Sequence, residues 1–412
     1  MLCQFSVKNF RCIKDEIVLD MQAAPITEGQ GSVLVDKDGE KFLPLAAIYG
    51  PNGGGKSTVL DALYSLFAKI IRPVLAVQND SFSDETFNSL IKPFKFDDYS
   101  SKKPTEFELF FRTTTYEYQY YLSVFRDNIV EEELYHKRIA GRQYTKVFSR
   151  DSHATIEVDK IQLKGSLKGY VWKGISPQIT LLSYLAITHG DNEVIKDIME
   201  WFISKLTFLD YKRNDLELYM AIPKDDKTKR LILSVLKEMG IDIDDYRVEK
   251  ASDPHKIKIY TQHCIQGTTY ELDLHEESSG TIKLFNSLPH ILRVLSCGGT
   301  LIADELDAKL HPILLQYLIR LFQSPEINRN KAQLIFTSQD LITMTGENFR
   351  RDEIWFAAKN IEESTQLYSL IEFKNKNGKG IRKDAKYNKQ YLEGKYGADP
   401  FLRKIVDWRV PD

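Results

Sequence analysis

The chain has 412 residues, of which 42% are hydrophobic and 28% charged, and its formal net charge is −2. That length and apolar content suffice for two to three domain-sized units, and the near-neutral balance excludes a globally basic nucleic-acid binder while allowing a local basic patch. Its four cysteines, Cys3, Cys12, Cys264 and Cys297, form no CxxC pair, and no apolar run reaches the roughly 18 residues of a membrane span, so free thiols, no zinc site, no membrane partner and a cytoplasmic location are expected.

In chain order, the first twenty residues read as two strands, with Phe5, Val7 and Phe10 before the charged turn Lys14-Asp15-Glu16 and Ile17, Val18 and Leu19 after it. They lack the long apolar core of a signal peptide. A polar stretch broken by Gly29, Gly31 and Gly39 follows. The apolar run Leu43 to Tyr49 reads as a buried strand and leads into GPNGGGKST, then into an apolar-periodic helix over 58–71. Residues 105–150 alternate strongly, which predicts an antiparallel meander. Residues 176–250 read as mostly helical, for example over 192–205 and 226–239. Strands return over 256–274. A helix is expected from Gly280 to about Leu295, with a kink at Pro289. After it come the strand Thr300–Ala303, a helix over 312–322 and the strand Gln333–Thr337, and then two short strands, a Lys/Gly/Asn loop and a closing segment.

Three segments carry chemistry. Gly50 to Ser57 matches GxxxxGK[ST] between a strand and a helix, the order a phosphate-binding loop requires. Its glycines let successive N–H groups converge on an anion at the helix start. Asn52, Gly53, Gly55, Lys56, Ser57 and Thr58 are the candidate ATP contacts. Lys56 is expected to reach the β- and γ-phosphates and Ser57 to hold Mg²⁺. The strand Thr300–Ala303 ends in Asp304 and Glu305. Two carboxylates at the end of a buried strand are costly unless a metal or ligand offsets them. Asp304 is the candidate Mg²⁺ ligand, and Glu305 the residue that orients and deprotonates the attacking water. Glu277-Ser278-Ser279-Gly280-Thr281 opens a helix, where Ser and Gly make a second anion site; taken alone, an ordinary helix cap is the simpler reading.

Together, GPNGGGKST, ESSGT, LIADELDAKLHP and QLIFTSQD, in that order, resemble the ABC-type ATPases of the RecF/SMC/OLD branch, as does the opening Val7-Lys8-Asn9-Phe10-Arg11. The ending Lys389-Gln390-Tyr391-Leu392-Glu393-Gly394-Lys395-Tyr396-Gly397-Ala398 is similar to that of bacterial AAA-type ATP-binding proteins related to RloA and abortive-infection proteins. The resemblance implies an α/β fold, an ABC-ATPase (P-loop NTPase) head with an antiparallel side sheet and a helical insert. Residues 1–150 form the first half of the head, 151–254 the mainly helical insert, and 255–412 the second half with a basic tail. It also implies an ATP-sandwich homodimer or higher oligomer, in which Lys56, Ser57, Asp304 and Glu305 of one copy face Ser278 and Gly280 of the other. Asp307 falls at the D-loop. Gln339 stands where the family usually has a switch histidine. Glutamine can donate to a γ-phosphate oxygen but carries no charge, which bears on hydrolysis rate more than on ATP binding. The Q-loop glutamine has no clear place; Gln119 lies in the meander.

Many of the OLD-type proteins that this chain resembles carry a Toprim nuclease after the ATPase. About 73 residues follow Gln339 here, fewer than a further domain of ordinary size needs, so a separate effector, a nuclease or toxin, is the expected partner. The tail residues Lys374, Lys376, Lys379, Arg382, Lys383, Lys386 and Lys389 could touch a phosphate backbone, although a solvated loop is the simpler reading. His311, before Pro312, reads as structural. Tyr116, Tyr118, Tyr120 and Tyr121 read as sheet packing rather than base-stacking platforms. The leading functional expectation is an ATPase sensor or switch of an antiviral, abortive-infection type system. A RecF-like DNA repair clamp and an ATP-clamped scaffold with little turnover are the alternatives; a transporter subunit fits least.

Overall fold

The computed structural model describes residues 1–78, 90–151, 160–167, 175–209, 225–250, 257–374, 378 and 380–398. In chain order the strands are β1 Leu2–Lys8, β2 Ile17–Asp20, β3 Leu34–Val35, β4 Lys41–Phe42, β5 Leu45–Tyr49, β6 Thr105–Arg112, β7 Tyr116–Phe125, β8 Asn128–Arg138, β9 Thr145–Asp151, β10 Lys160–Leu163, β11 Leu206–Leu209, β12 Asp245–Lys250, β13 Ile257–Ile265, β14 Thr268–Asp273, β15 Thr300–Ala303, β16 Gln333–Thr337, β17 Ile354–Lys359 and β18 Thr365–Ser369. The α-helices are α1 Lys56–Gln78, α2 Leu181–Thr188, α3 Glu193–Glu200, α4 Asp226–Glu238, α5 Ser279–Cys297, α6 Pro312–Gln323 and α7 Tyr387–Leu392. The fold is α/β, with an antiparallel side sheet.

Among the described residues, the core sheet has the order β11-β15-β16-β5-β17-β18. It is parallel except at β18, which runs antiparallel to β17. Its central strands are apolar at nearly every position because both faces are covered. The pleat divides β5 between two cores: Ala46 and Ile48 join one, Leu45, Ala47 and Tyr49 the other. In β15 and β16, Ile302 and Ile335 point to the first core, and Leu301, Ala303, Leu334 and Phe336 to the second. α1 and the side sheet cover the first face, α5 and α6 the second.

The side sheet has the order β10-β9-β8-β7-β6-β1-β2 and is antiparallel throughout, as the alternation predicts. Its inner face (Phe5, Val7, Phe107, Leu109, Phe111, Tyr118, Tyr120 and Leu122) is buried against α1. Tyr118 and Tyr120 are therefore packing residues, and their hydroxyls donate to Asp197 and Glu132 at 2.8 and 2.9 Å. Gln119 points to the other face and donates to Glu108 at 2.7 Å.

Two expectations change. α1 runs on to Gln78 through Pro73, because Val74 and Ala76 are buried and tertiary packing outweighs the proline penalty. Nearby, Ser183 Oγ donates to the Ile70 carbonyl at 2.7 Å. Among the described residues of 151–254, the helices α2, α3 and α4 stand beside three strands that the helical expectation left out. β10 extends the side sheet, β11 pairs in parallel with β15 inside the core sheet, and β12 pairs with β13. A four-residue apolar run such as Leu206-Thr207-Phe208-Leu209 has no period that separates strand from buried helix. The expected 192–205 helix is α3 followed by a π-helical turn, Trp201–Lys205, which stacks Trp201 on Phe111 with ring centroids 4.1 Å apart. α2 and α3 lie in the first core with the head. No helix among the described residues is long and apolar enough to cross a membrane.

Candidate functional site

The buried strand β5 delivers the glycine loop to the N-terminus of α1. Gly55 has φ +100°, a conformation that side chains disfavour, and a Cβ there would lie 2.1 Å from Thr365 Oγ1. A Cβ at Gly50 would lie 2.1 Å from the Ala357 carbonyl oxygen. Glycine is thus required from both sides: by the loop's own turn and by β17 and β18 packed beneath it. Thr365 also donates to the Gly54 carbonyl at 3.1 Å. The sequence gives no sign of this buttress, because Ala357 and Thr365 lie some three hundred residues away.

Lys56 is buried and its ammonium donates to the carbonyls of Gly50 and Pro51 at 2.8 and 3.1 Å. Burial lowers its pKa, opposed by the charges of Asp304, Glu305 and Asp307. The three carboxylates therefore lie within electrostatic reach of the loop. Ser57 Oγ donates to Asp304 Oδ1 at 3.1 Å, so the two expected metal-binding side chains meet across 247 residues of sequence. Thr337, at the end of β16, donates to the same carboxylate oxygen at 2.5 Å and accepts from the Glu305 N–H at 2.7 Å. One hydroxyl thus ties the two acidic residues together. Sequence reading singled out the strand but not this threonine. Glu305 has φ +47° and an exposed side chain.

The arrangement fits Mg²⁺. That ion prefers hard oxygens and is usually held by one or two carboxylates plus substrate phosphates rather than by an all-protein cage. Ser57 and Asp304 supply two such oxygens beside the loop, and among the described residues no cluster of three or more His, Cys, Asp or Glu forms a self-sufficient metal site. Asn52 and Gly53 are exposed at the loop tip; Thr58 accepts from Cys12 Sγ at 3.2 Å.

The remaining candidates lie on the neighbouring loops. Ser278 caps α5, its hydroxyl accepting from Thr281 N at 3.1 Å, a cap worth about 1 kcal/mol. It is exposed, and Gly280 is partly exposed. Ser279 lines a cavity of about 680 Å³ together with Ser57, Asp304 and Glu305 of the same chain. Arg11, from the opening segment, is on the same wall, ion-paired with Asp61 of α1. Asp307 Oδ2 accepts from the Gln339 N–H at 3.0 Å, which joins the loop after β15 to the loop after β16, while the Gln339 side chain is exposed. His311 caps α6 through Nδ1, a structural role. Of the tail lysines, Lys376 and Lys379 lie outside the described residues.

Residues 45–345, well over half of the chain, match the family described as "AAA domain, putative AbiEii toxin, Type IV TA system". The chain belongs to this AAA family. Membership in a family of P-loop ATPases implies ATP binding, and the matched span includes the glycine loop, the Ser278–Gly280 segment and the acidic pair. No curated protein matches the chain. Among solved structures, it is similar to the SMC head domain from Thermotoga maritima at 14% identity and a TM-score of 0.41, covering 90% of this chain and 98% of that one. It is similar to the Smc head domain with an extended coiled coil, bound to the C-terminal domain of ScpA derived from Pyrococcus furiosus, at 12% identity and a TM-score of 0.38, covering 90% and 96%. It is also similar to the recombination mediator protein RecF at 11% identity and a TM-score of 0.31, covering 89% and 98%. At these scores the likenesses carry no functional argument.

Proposed function

We propose that the chain is an ABC-type ATPase that works as a dimer and serves as the sensor or switch of an antiviral, abortive-infection type system, controlling a separate effector. The observation that carries the ATPase reading is the meeting of Ser57 with Asp304 beside the Lys56 loop, with Glu305 tethered next to them through Thr337. In this reading Lys56 leaves the Gly50 and Pro51 carbonyls for the β- and γ-phosphates, and loop N–H groups from Asn52 to Thr58 hold the phosphate chain. Ser57 and Asp304 hold Mg²⁺, which when bound neutralises phosphate charge. Glu305 orients a water and takes its proton. Gln339, held through its backbone N–H by Asp307, is in this reading the side chain that donates to the γ-phosphate. Ser278 is exposed and Gly280 partly exposed at a helix start, where a second copy's ATP can meet them. The defence reading is supported by the AbiEii wording of the family description and by the ending's resemblance to abortive-infection ATPases.

Phosphate release by the purified chain tests the chemistry. Turnover that Lys56→Ala and Glu305→Gln each abolish is expected, and equal release from all three proteins refutes it. Phage plating on cells carrying the gene with its native neighbours tests the role. Protection lost with Glu305→Gln is expected, while no protection by wild type across a broad phage panel rejects it.

A DNA clamp is the second reading. It is favoured by a surface hollow whose wall includes Lys374, Arg382, Lys386, Lys389 and Lys395, against Asp384 and Glu393. ATP-dependent, salt-sensitive binding to DNA ends supports it, and no binding at low salt rejects it.

A further inference from the structure

Lys283 lies within the second turn of α5 and is 6% exposed. Its ammonium donates to the carbonyls of Glu305 and Ala308 at 2.7 and 2.6 Å. Those carbonyls bracket a tight turn, in which the Ala308 N–H also donates to the Glu305 carbonyl at 3.0 Å. The turn begins at Glu305 in a left-handed backbone, φ +47°, which a non-glycine residue keeps only when its surroundings over-determine it. Here they do. Glu305 N is held by Thr337 Oγ1, Leu306 N by the Thr337 carbonyl, and the Glu305 carbonyl by Lys283. Burial lowers the Lys283 pKa, and the charges of Asp307 and Glu305 oppose that shift. The start of α5 is packed against the same loop: a Cβ at Gly280 would lie 3.0 Å from the Lys309 carbonyl oxygen.

Burying a cation to bond backbone carbonyls is a costly way to fill space. It is an effective way to fix a loop whose first residue bears the reacting carboxylate. We propose that Lys283 is a positioning residue for ATP hydrolysis: it locks the Glu305–Ala308 turn to α5, so the aim of the Glu305 carboxylate follows the position of the Ser278–Gly280 helix start. The helix that meets one phosphate site thereby sets the water-activating group of the other, with Lys283 as the link. This inference rests on the ATPase reading and deepens it.

The test uses the full chain and separates binding from turnover. In Lys283→Met, which keeps the bulk and removes the donors, kcat is expected to fall about 10- to 100-fold while the ATP dissociation constant stays within about twofold. Lys283→Gln, which keeps an N–H donor, is expected to regain part of kcat. Thermal melts confirm folding, and if Lys283→Met does not fold, Lys283→Gln is judged by the same split. A Lys283→Met kcat within about twofold of wild type, with Glu305→Gln inactive, overturns the role of Lys283 and leaves the ATPase reading standing. Affinity lost in step with kcat, or a Gln variant no faster than the Met variant, shows that packing rather than the donated bonds was removed, and also overturns it. Absence of wild-type turnover overturns both.

Discussion

Thr337→Val removes a single hydroxyl and keeps the side-chain volume. That hydroxyl donates to Asp304 Oδ1 at 2.5 Å and accepts from Glu305 N at 2.7 Å, and Thr337 is fully buried. A neutral hydrogen bond contributes about 1 kcal/mol net and one to a charged group about 1.5–3 kcal/mol. Asp304 is only partly buried and retains its bond from Ser57, so the charged bond is weighted to the lower end and the total comes to about 2–3 kcal/mol. Thr337→Ser keeps both bonds and loses one methyl, about 1 kcal/mol. Urea titration is therefore expected to rank wild type above Ser, and Ser above Val. Turnover is expected to separate the variants further. The Val variant frees the Glu305 N–H and should lose kcat about tenfold or more, whereas the Ser variant should stay near wild type. A Val variant as stable and as active as the Ser variant would refute the claim that this hydroxyl organises the acidic pair.

Two further outcomes follow from the same geometry. Gly55→Ala places a methyl 2.1 Å from Thr365 Oγ1 at φ +100°, so the loop must open; ATP affinity measured by equilibrium binding is expected to fall at least about tenfold, and an unchanged affinity contradicts the buttress. His263 has Nδ1 2.7 Å from the Asp242 carbonyl and Nε2 2.8 Å from Glu277 Oε1, so both ring nitrogens face acceptors and the imidazolium is favoured. Desolvation opposes protonation, but the Glu277 and Asp242 bonds and the nearby Asp244 charge outweigh it and raise the pKa above 6.5. A raised folded-state pKa means the stabilisation is fully present below 6.5 and is lost as pH rises through the folded value. The melting temperature of wild type should therefore exceed that of His263→Gln by more at about pH 6 than at about pH 8, and the reverse trend rules out the ion pair.

The local backbone order was legible in the chain. A strand, a glycine loop and a helix follow one another within about thirty residues at 43–71, and the loop needs only that order to form. The strands Thr300–Ala303 and Gln333–Thr337 were legible to the residue, because short apolar runs flanked by polar turns leave little room for slippage. The alternation over 105–150 specified an antiparallel sheet, since one of its faces is buried and a period of two is the only pattern that serves it.

What was not legible depends on residues far apart in sequence. Leu206–Leu209 could be a strand only because β15 lies beside it, and a four-residue apolar run carries no period of its own. α1 continues past Pro73 because its next turn is buried, a gain that no local propensity contains. The same holds for the site. Its charged residues announce themselves by spacing, but Thr337 joining Asp304 to Glu305, Thr365 closing on Gly55 and Lys283 clamping the Glu305 turn are contacts between segments up to 311 residues apart. The sequence determined where the glycine loop and the acidic pair lie along the chain, because loop geometry and charge are local. Only the tertiary structure decided how those groups are aimed, because hydrogen-bond direction is fixed by whichever backbone packs against them.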